Sequence, residues 1–153
     1  MGTITYILLV LAAAVALAAV LAAVARARAR RGRRTFAATT DGLAAATAYV
    51  KGFCDDSRAA IVIDEIASNI VRCSGASSFD LTYRREPPGY TLVFSDAGKP
   101  FNPLAHPDPD VTAAAEDRAI GGLGIFMVKQ MADSVNYEWR GGRNVLTVCM
   151  KEL

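Results

Sequence analysis

The chain has 153 residues, 52% of them hydrophobic, and a formal net charge of +2. That length suits one domain with a modest core. Six of the seventeen basic residues crowd into positions 26–34, so the rest of the chain sets eleven basic against fifteen acidic side chains. A domain of that sign is a poor partner for nucleic acid, and no nucleic-acid partner is expected. The three cysteines form no C-x-x-C pair and the lone His106 has no ligand-spaced neighbours, which argues against zinc. Cys54, Cys73 and Cys149 read as reduced, structural thiols.

Taken in chain order, residues 4–25 carry no charge and include eleven Leu, Ile and Val. As a helix they would span roughly 33 Å, which matches a hydrocarbon core of ~30 Å. The segment is expected to be a transmembrane anchor over 1–25. Its leader lacks the basic side chain that a cleaved signal peptide wants. Arg26, Arg28, Arg30, Arg31, Arg33 and Arg34 follow at once. This asymmetry predicts a single-pass protein whose C-terminal side is cytoplasmic, with a basic juxtamembrane linker over 26–35 against an anionic membrane surface.

The domain proper is expected over 36–153. Asp41 offers an N-cap for a helix to about Phe53. Ser57 offers another for a helix from Arg58 to about Cys73, with Ile63, Ile66, Ala67 and Ile70 as its core stripe. Phe79, Leu81 and Tyr83 alternate as in a strand, Glu86-Pro87-Pro88-Gly89 turns, and Tyr90 to Phe94 reads as a buried strand. Residues 97–120 read as loop. A third helix is expected from Leu123 to Ala132, with Ile125, Val128 and Met131 inward. A hairpin follows, turning at Gly141-Gly142. The expected fold is therefore an α/β two-layer sandwich: a mixed, mostly antiparallel sheet of four to five strands with about three helices on one face.

Three short motifs carry chemistry. Glu65 and Asn69 stand one turn apart on the second helix. One amide oxygen from Asn69 could be enough protein ligation for Mg²⁺, which keeps waters and phosphate oxygens in its shell. Glu65 could orient or deprotonate an attacking hydroxyl. Asp96 closes a buried strand, where a carboxylate can accept from an exocyclic amine, and Gly98 would let a flat base approach the backbone. Lys99-Pro100-Phe101-Asn102-Pro103 adds stiffness and one aromatic ring, Phe101. Gly121, Gly122 and Gly124 open a helix, whose N–H groups and dipole favour phosphate. No G-x-x-x-x-G-K-[ST] element exists, so this is no P-loop. Each motif alone is equally well a polar helix flank, a tight turn or a flexible loop.

Jointly, over roughly residues 36–150, they resemble the GHKL family of ATP-binding domains, the Bergerat fold. The Glu65…Asn69 helix resembles that family's N box, Asp96-Ala97-Gly98 its G1 box, and Gly121-Gly122-Leu123-Gly124 its G2 box. The Pro100-Phe101-Asn102-Pro103-Leu104 run, Ile120 to Ile125 and the final Gly142 to Thr147 strand are most similar to bacterial anti-sigma-factor serine kinases. The resemblance implies ATP and Mg²⁺ as cofactors, with Asn69 on the metal, Glu65 as general base toward a serine or threonine hydroxyl, and Asp96 on the adenine amine. It puts Gly98, Phe101, Gly121, Gly122, Leu123, Gly124 and Thr147 at the nucleotide, makes 103–120 a lid, and lets Arg118 reach the γ-phosphate. It implies a small regulatory protein as partner, an anti-sigma-factor antagonist or a sigma factor, and leaves a homodimer open. The sequence departs from the pattern in continuing the N box as Ile70-Val71-Arg72-Cys73, without the usual histidine, and in carrying an apolar N-terminal helix. An ATP-gated binding module without phosphoryl transfer is the alternative. A histidine-kinase fragment fits less well, because residues 35–57 are too few for a two-helix phosphoacceptor domain.

Overall fold

A computed structural model describes residues 2–29, 31–105 and 122–152, with only the backbone at 3–5, 8–9, 22–29 and 31. Helix α1 covers Thr3–Ala29, followed by strand β1, Arg31–Ala37. Helices α2 (Thr40–Lys51) and α3 (Ser57–Asn69) come next. Strands β2 (Ser78–Glu86) and β3 (Gly89–Asp96) form a hairpin. Helix α4 (Leu123–Met131) leads into a second hairpin, β4 (Ser134–Arg140) and β5 (Arg143–Lys151).

The five strands form one sheet in the order β1-β2-β3-β5-β4, and every neighbouring pair is antiparallel. The sheet is thus wholly antiparallel rather than mixed. Residues 31–35, expected as linker, belong to it. Strand β1 was hidden by its arginines, yet they obey strand alternation. Arg33 and Thr35 reach Asp80 on the outer face, with Arg33 Nη2 donating at 3.1 Å and Thr35 Oγ1 at 2.6 Å. Phe36 turns inward and is 5% exposed. Arg34 lies over the rings of Phe36 and Tyr49, at 5.6 and 5.9 Å from their centroids. Charged side chains on an edge strand also discourage edge-to-edge pairing.

Helices α2, α3 and α4 cover one face. Ala46 and Val50 of α2, Val62, Ile63 and Ile66 of α3, and Ile125 and Val128 of α4 meet Phe79, Leu81, Tyr83, Leu92, Phe94 and Val148 of the sheet in one core. Each fully buried aliphatic chain contributes roughly 1.5–3 kcal/mol. Met131, expected inward, is only half-buried.

The caps differ from those expected by one or two residues. Thr39, not Asp41, caps α2, accepting from the Gly42 N–H at 3.2 Å. Asp56, not Ser57, caps α3, accepting from the Arg58 N–H at 2.9 Å. Helix α3 does not run on to Cys73 as α-helix. It widens into a π-helical turn, Ile70–Ser74, and stops at Gly75 with φ of 69°. Cys73 on that turn is exposed, so it has no structural burial, unlike Cys54. Both turn glycines of the last hairpin adopt positive φ, 59° at Gly141 and 74° at Gly142, as expected.

Helix α1 is 27 residues long and its Tyr6, Ile7, Val10, Leu11, Val15, Leu17, Val20 and Leu21 are exposed. Among the described residues no helix is long and apolar enough to cross a membrane. The span expected at 4–25 includes the side chains of 4–5, 8–9 and 22–25, which lie outside the described residues.

Candidate functional site

The pocket lies at one end of the sheet, where α3 ends, β3 ends and β5 begins. Its walls are Ile66, Ile70, Phe94, Phe101, Ile125 and Leu146, with polar groups from Asn69, Ser74, Asp96, Tyr137 and Asn144. An apolar slot with a few convergent polar groups is the usual build of a small-ligand site. Strand register assembles it. Phe36, Phe79, Asp96, Asn144 and Trp139 form one row across the five strands. Alternation puts Asp96 on the same face as buried Phe94 and Leu92. The carboxylate is 3% exposed and its Oδ1 accepts from the Gly98 N–H at 2.9 Å and from Asn144 Nδ2 at 3.0 Å. Its Oδ2 takes no hydrogen bond among the described residues and is the oxygen left for a ligand.

Asn69 lines the pocket from the last residue of α3, its Oδ1 accepting a long hydrogen bond of 3.5 Å from Arg72 Nη2. That loosely held oxygen suits a cation ligand. Among the described residues no cluster of three or more His, Cys, Asp or Glu is placed to hold a metal. A divalent cation here would therefore depend on Asn69, water and ligand oxygens.

Glu65, one turn earlier, is half-buried and does not line the pocket. It packs against the first turn of α4: a Cβ added at Gly124 would lie 1.9 Å from its Oε2 and 2.6 Å from its Cδ. Gly124 thus makes room for Glu65. Gly122 precedes α4 with φ of 89°, and among the described residues no side chain caps the helix. The first N–H groups of α4 have no intrahelical acceptor and carry the positive end of the dipole.

The structure thus brings Asn69, Asp96 and Phe101 to one pocket and sets Glu65 beside Gly124 at its flank. Three expectations are corrected. Gly98 does not open space for a base, because its Cβ would sit 2.3 Å from the Ser74 carbonyl oxygen. It is needed instead where the loop crosses the end of α3, next to the Lys99 N–H to Ser74 carbonyl bond of 2.7 Å. Thr147 lies on the far face of the sheet, paired with Val93 and Asn136, because Asn144, Leu146 and Val148 occupy the helix-facing positions. Leu123 is 47% exposed and is absent from the pocket wall. Arg118, Gly121 and His106 lie outside the described residues, as does the expected lid beyond a 3-10 turn at Pro103–Ala105.

Asn144, Tyr137 and Ser74 were missed. The signal for Asn144 was parity: it shares strand phase with Leu146, Val148 and Met150, so a polar residue there faces the core. Ser74 Oγ donates to the Ile70 carbonyl at 3.0 Å and accepts from the Ala76 N–H at 3.1 Å, closing the π-turn that meets Gly98. π-turns are frequent at functional sites.

Comparison with curated proteins finds no match. The family of histidine kinase-like ATPase domains matches over residues 11–150. Its range takes in every element from β1 to β4, all but the last residue of β5, and the residues that line the pocket. The chain belongs to this family of GHKL-type, ATP-binding domains.

Proposed function

We propose that this ATP-binding domain is a serine/threonine protein kinase of the anti-sigma-factor type, acting on a small regulatory protein. The observation that carries the reading is Glu65. A carboxylate held against the first turn of α4 and one helical turn from Asn69 is placed to take a proton, and a pure binding module needs no base there. In this reading Asp96 Oδ2 accepts from the adenine amine, and apolar side chains sandwich the base. The open N–H groups of α4 receive phosphate oxygens. Mg²⁺, held by Asn69, would neutralise developing charge on the phosphates. The Glu65 carboxylate takes the proton of the partner's serine or threonine hydroxyl as that oxygen bonds to the γ-phosphorus. The bond from the γ-phosphorus to the bridging oxygen breaks, and ADP leaves. The test uses labelled ATP and a candidate antagonist protein. Glu65→Gln is expected to bind ATP within about threefold of wild type while losing at least ~100-fold in transfer, the scale of a general base. Wild-type transfer no greater than that of Glu65→Gln sinks the kinase reading.

A second reading is an ATP-gated tether that grips a sigma factor or related partner without transfer. Helix α1 favours it: its exposed apolar side chains need a covering surface, and an anionic bilayer beside the arginines of 26–34 would supply one. This reading makes the protein a membrane-anchored one with the ATP pocket on the cytoplasmic side. Membrane fractions that release the intact chain by salt alone, without detergent, remove the anchor from either reading.

A further inference from the structure

We infer that Asn144 sets the base preference of the nucleotide pocket by holding Asp96 as a pure acceptor and fixing Phe101 across the slot. The inference rests on the reading of Asp96 as the group that contacts the base.

Asn144 is 6% exposed and uses its full hydrogen-bonding capacity. Its Oδ1 accepts from the Phe101 N–H at 2.9 Å and from the Tyr137 hydroxyl at 2.8 Å. Two donors converging on one atom decide which end of the amide is oxygen. The Nδ2 end must then face the other way, where it donates to Asp96 Oδ1 at 3.0 Å and to the Lys99 carbonyl at 2.9 Å. One side chain therefore ties together the end of β3, the 99–101 segment and β4.

The consequence for a ligand follows from donor and acceptor counting. Asp96 Oδ1 is saturated by Asn144 and the Gly98 N–H, so Oδ2 alone meets the base. An ionised carboxylate only accepts. A purine with an exocyclic 6-amine donates to it. A 6-oxo purine presents lone pairs against it and leaves a buried acceptor unpaired, which costs affinity. The neighbouring Ser74 hydroxyl is already committed to the Ile70 carbonyl and the Ala76 N–H, so it does not substitute for the donor of Asn144. Asn144 is a positioning residue here: it acts on the base through Asp96 and Phe101.

The experiment measures the affinity of the full chain for ATP and for inosine triphosphate, its 6-oxo analogue. Asn144→Asp keeps the size and the Oδ1 acceptor, but removes the donation to Asp96 and sets a second carboxylate beside it. Asn144→Ala removes both roles. Each is expected to lower the ATP-to-inosine preference by about tenfold or more, through weaker ATP binding with inosine triphosphate nearly unchanged. Tyr137→Phe removes one of the two donors that orient the amide, and the half-buried ring leaves the fold intact; about a threefold drop in preference is expected. A merely structural role would weaken both nucleotides together. An Asn144→Asp chain that melts like wild type and keeps the wild-type preference overturns the inference. Where both Asn144 variants fail to fold, an unchanged preference in Tyr137→Phe overturns it. Binding that depends on Asp96 but discriminates independently of Asn144 defeats this inference alone. A wild-type chain that binds neither nucleotide, or an Asp96→Ala chain that binds ATP as wild type does, defeats the underlying reading and the inference with it.

Discussion

Among the described residues Asp96 has one oxygen engaged and one available, and that asymmetry makes a sharp prediction. Replacing it with asparagine keeps the shape but removes the charge from the hydrogen bond to the base. Hydrogen bonds to charged groups are worth about 1.5–3 kcal/mol, so Asp96→Asn should weaken ATP binding by roughly ten- to hundredfold in a calorimetric titration. Gly124 supports a second prediction of a different kind. A methyl group there would lie 1.9 Å from Glu65 Oε2, so the carboxylate must move. Gly124→Ala should cut phosphoryl transfer at least ~10-fold while costing much less in ATP affinity, since displacing a reacting group by about an ångström is enough for such a loss. Equal losses in transfer and affinity would place the effect on binding instead. The placement of Glu65 and Asn69 one turn apart on a helix, and of Asp96 at a strand end, was legible from spacing alone, because these are local facts. Thr147 and Gly98 were misread because which face a strand residue occupies, and what crosses a glycine, are decided by packing partners far along the chain.

At the scale of elements, α3 carries the most weight, since it brings Glu65 and Asn69 to the site and supplies the centre of the core. Its start is set by Asp56. The carboxylate caps the helix, accepts from Arg58 Nε at 3.0 Å and Nη2 at 2.6 Å, and takes the Tyr90 hydroxyl at 2.9 Å. The Arg58 hydrogen bonds hold Asp56 below the usual carboxylate range, against the opposing effect of burial. A carboxylate with a lowered folded value stabilises the fold above its unfolded value of about 3.9, and that contribution is lost as pH falls through the lowered value. Asp56→Ala should therefore cost about 1–2 kcal/mol at pH 7, from the cap alone. The gap in thermal midpoint between variant and wild type should shrink below about pH 4. A gap that stays constant down to pH 2 would count against the charged cap. The same Arg58–Asp56 contact reaches the sheet through Arg58 Nη2 and the Lys151 carbonyl at 2.6 Å, so the cap also fastens α3 to β5. The helical period of α3 was visible in the sequence, whereas its π-turn was not. Widening the last turn aligns Ser74 with Gly98, an adjustment to a tertiary neighbour that has no local signature.

For the whole molecule, the join between α1 and β1 matters most. A single residue separates Ala29, the last of α1, from Arg31, the first of β1. Five residues of strand, roughly 16 Å at ~3.3 Å each, separate the Arg31 row from the row that holds Asp96 and Asn144. The pocket thus sits at the end of the sheet away from the α1 junction. Removing residues 1–30 should leave ATP affinity intact. Removing residues 1–37 strips an edge strand together with buried Phe36, a loss of at least ~3–5 kcal/mol by the cost of truncating a core phenylalanine. Circular dichroism melts and ATP titrations of the two truncations check this. If both bind ATP equally well, β1 is dispensable.

Local physics determined a good deal of this protein before any fold was seen. Apolar periodicity marked α3 and α4. Turn chemistry at Pro87-Pro88-Gly89 and Gly141-Gly142 marked both hairpins, and the order of three motifs marked a nucleotide site. These features depend on residues within about one helical turn or one hairpin of each other. Tertiary structure alone decided that the arginine run at 31–34 is an edge strand. It also decided that Asn144 ties Asp96 to the 99–101 segment, and that Gly124 yields space to Glu65. Each of those depends on a partner between 43 and 59 positions away. Strand pairing and close packing join such positions only after the chain has folded, so no local pattern encodes them.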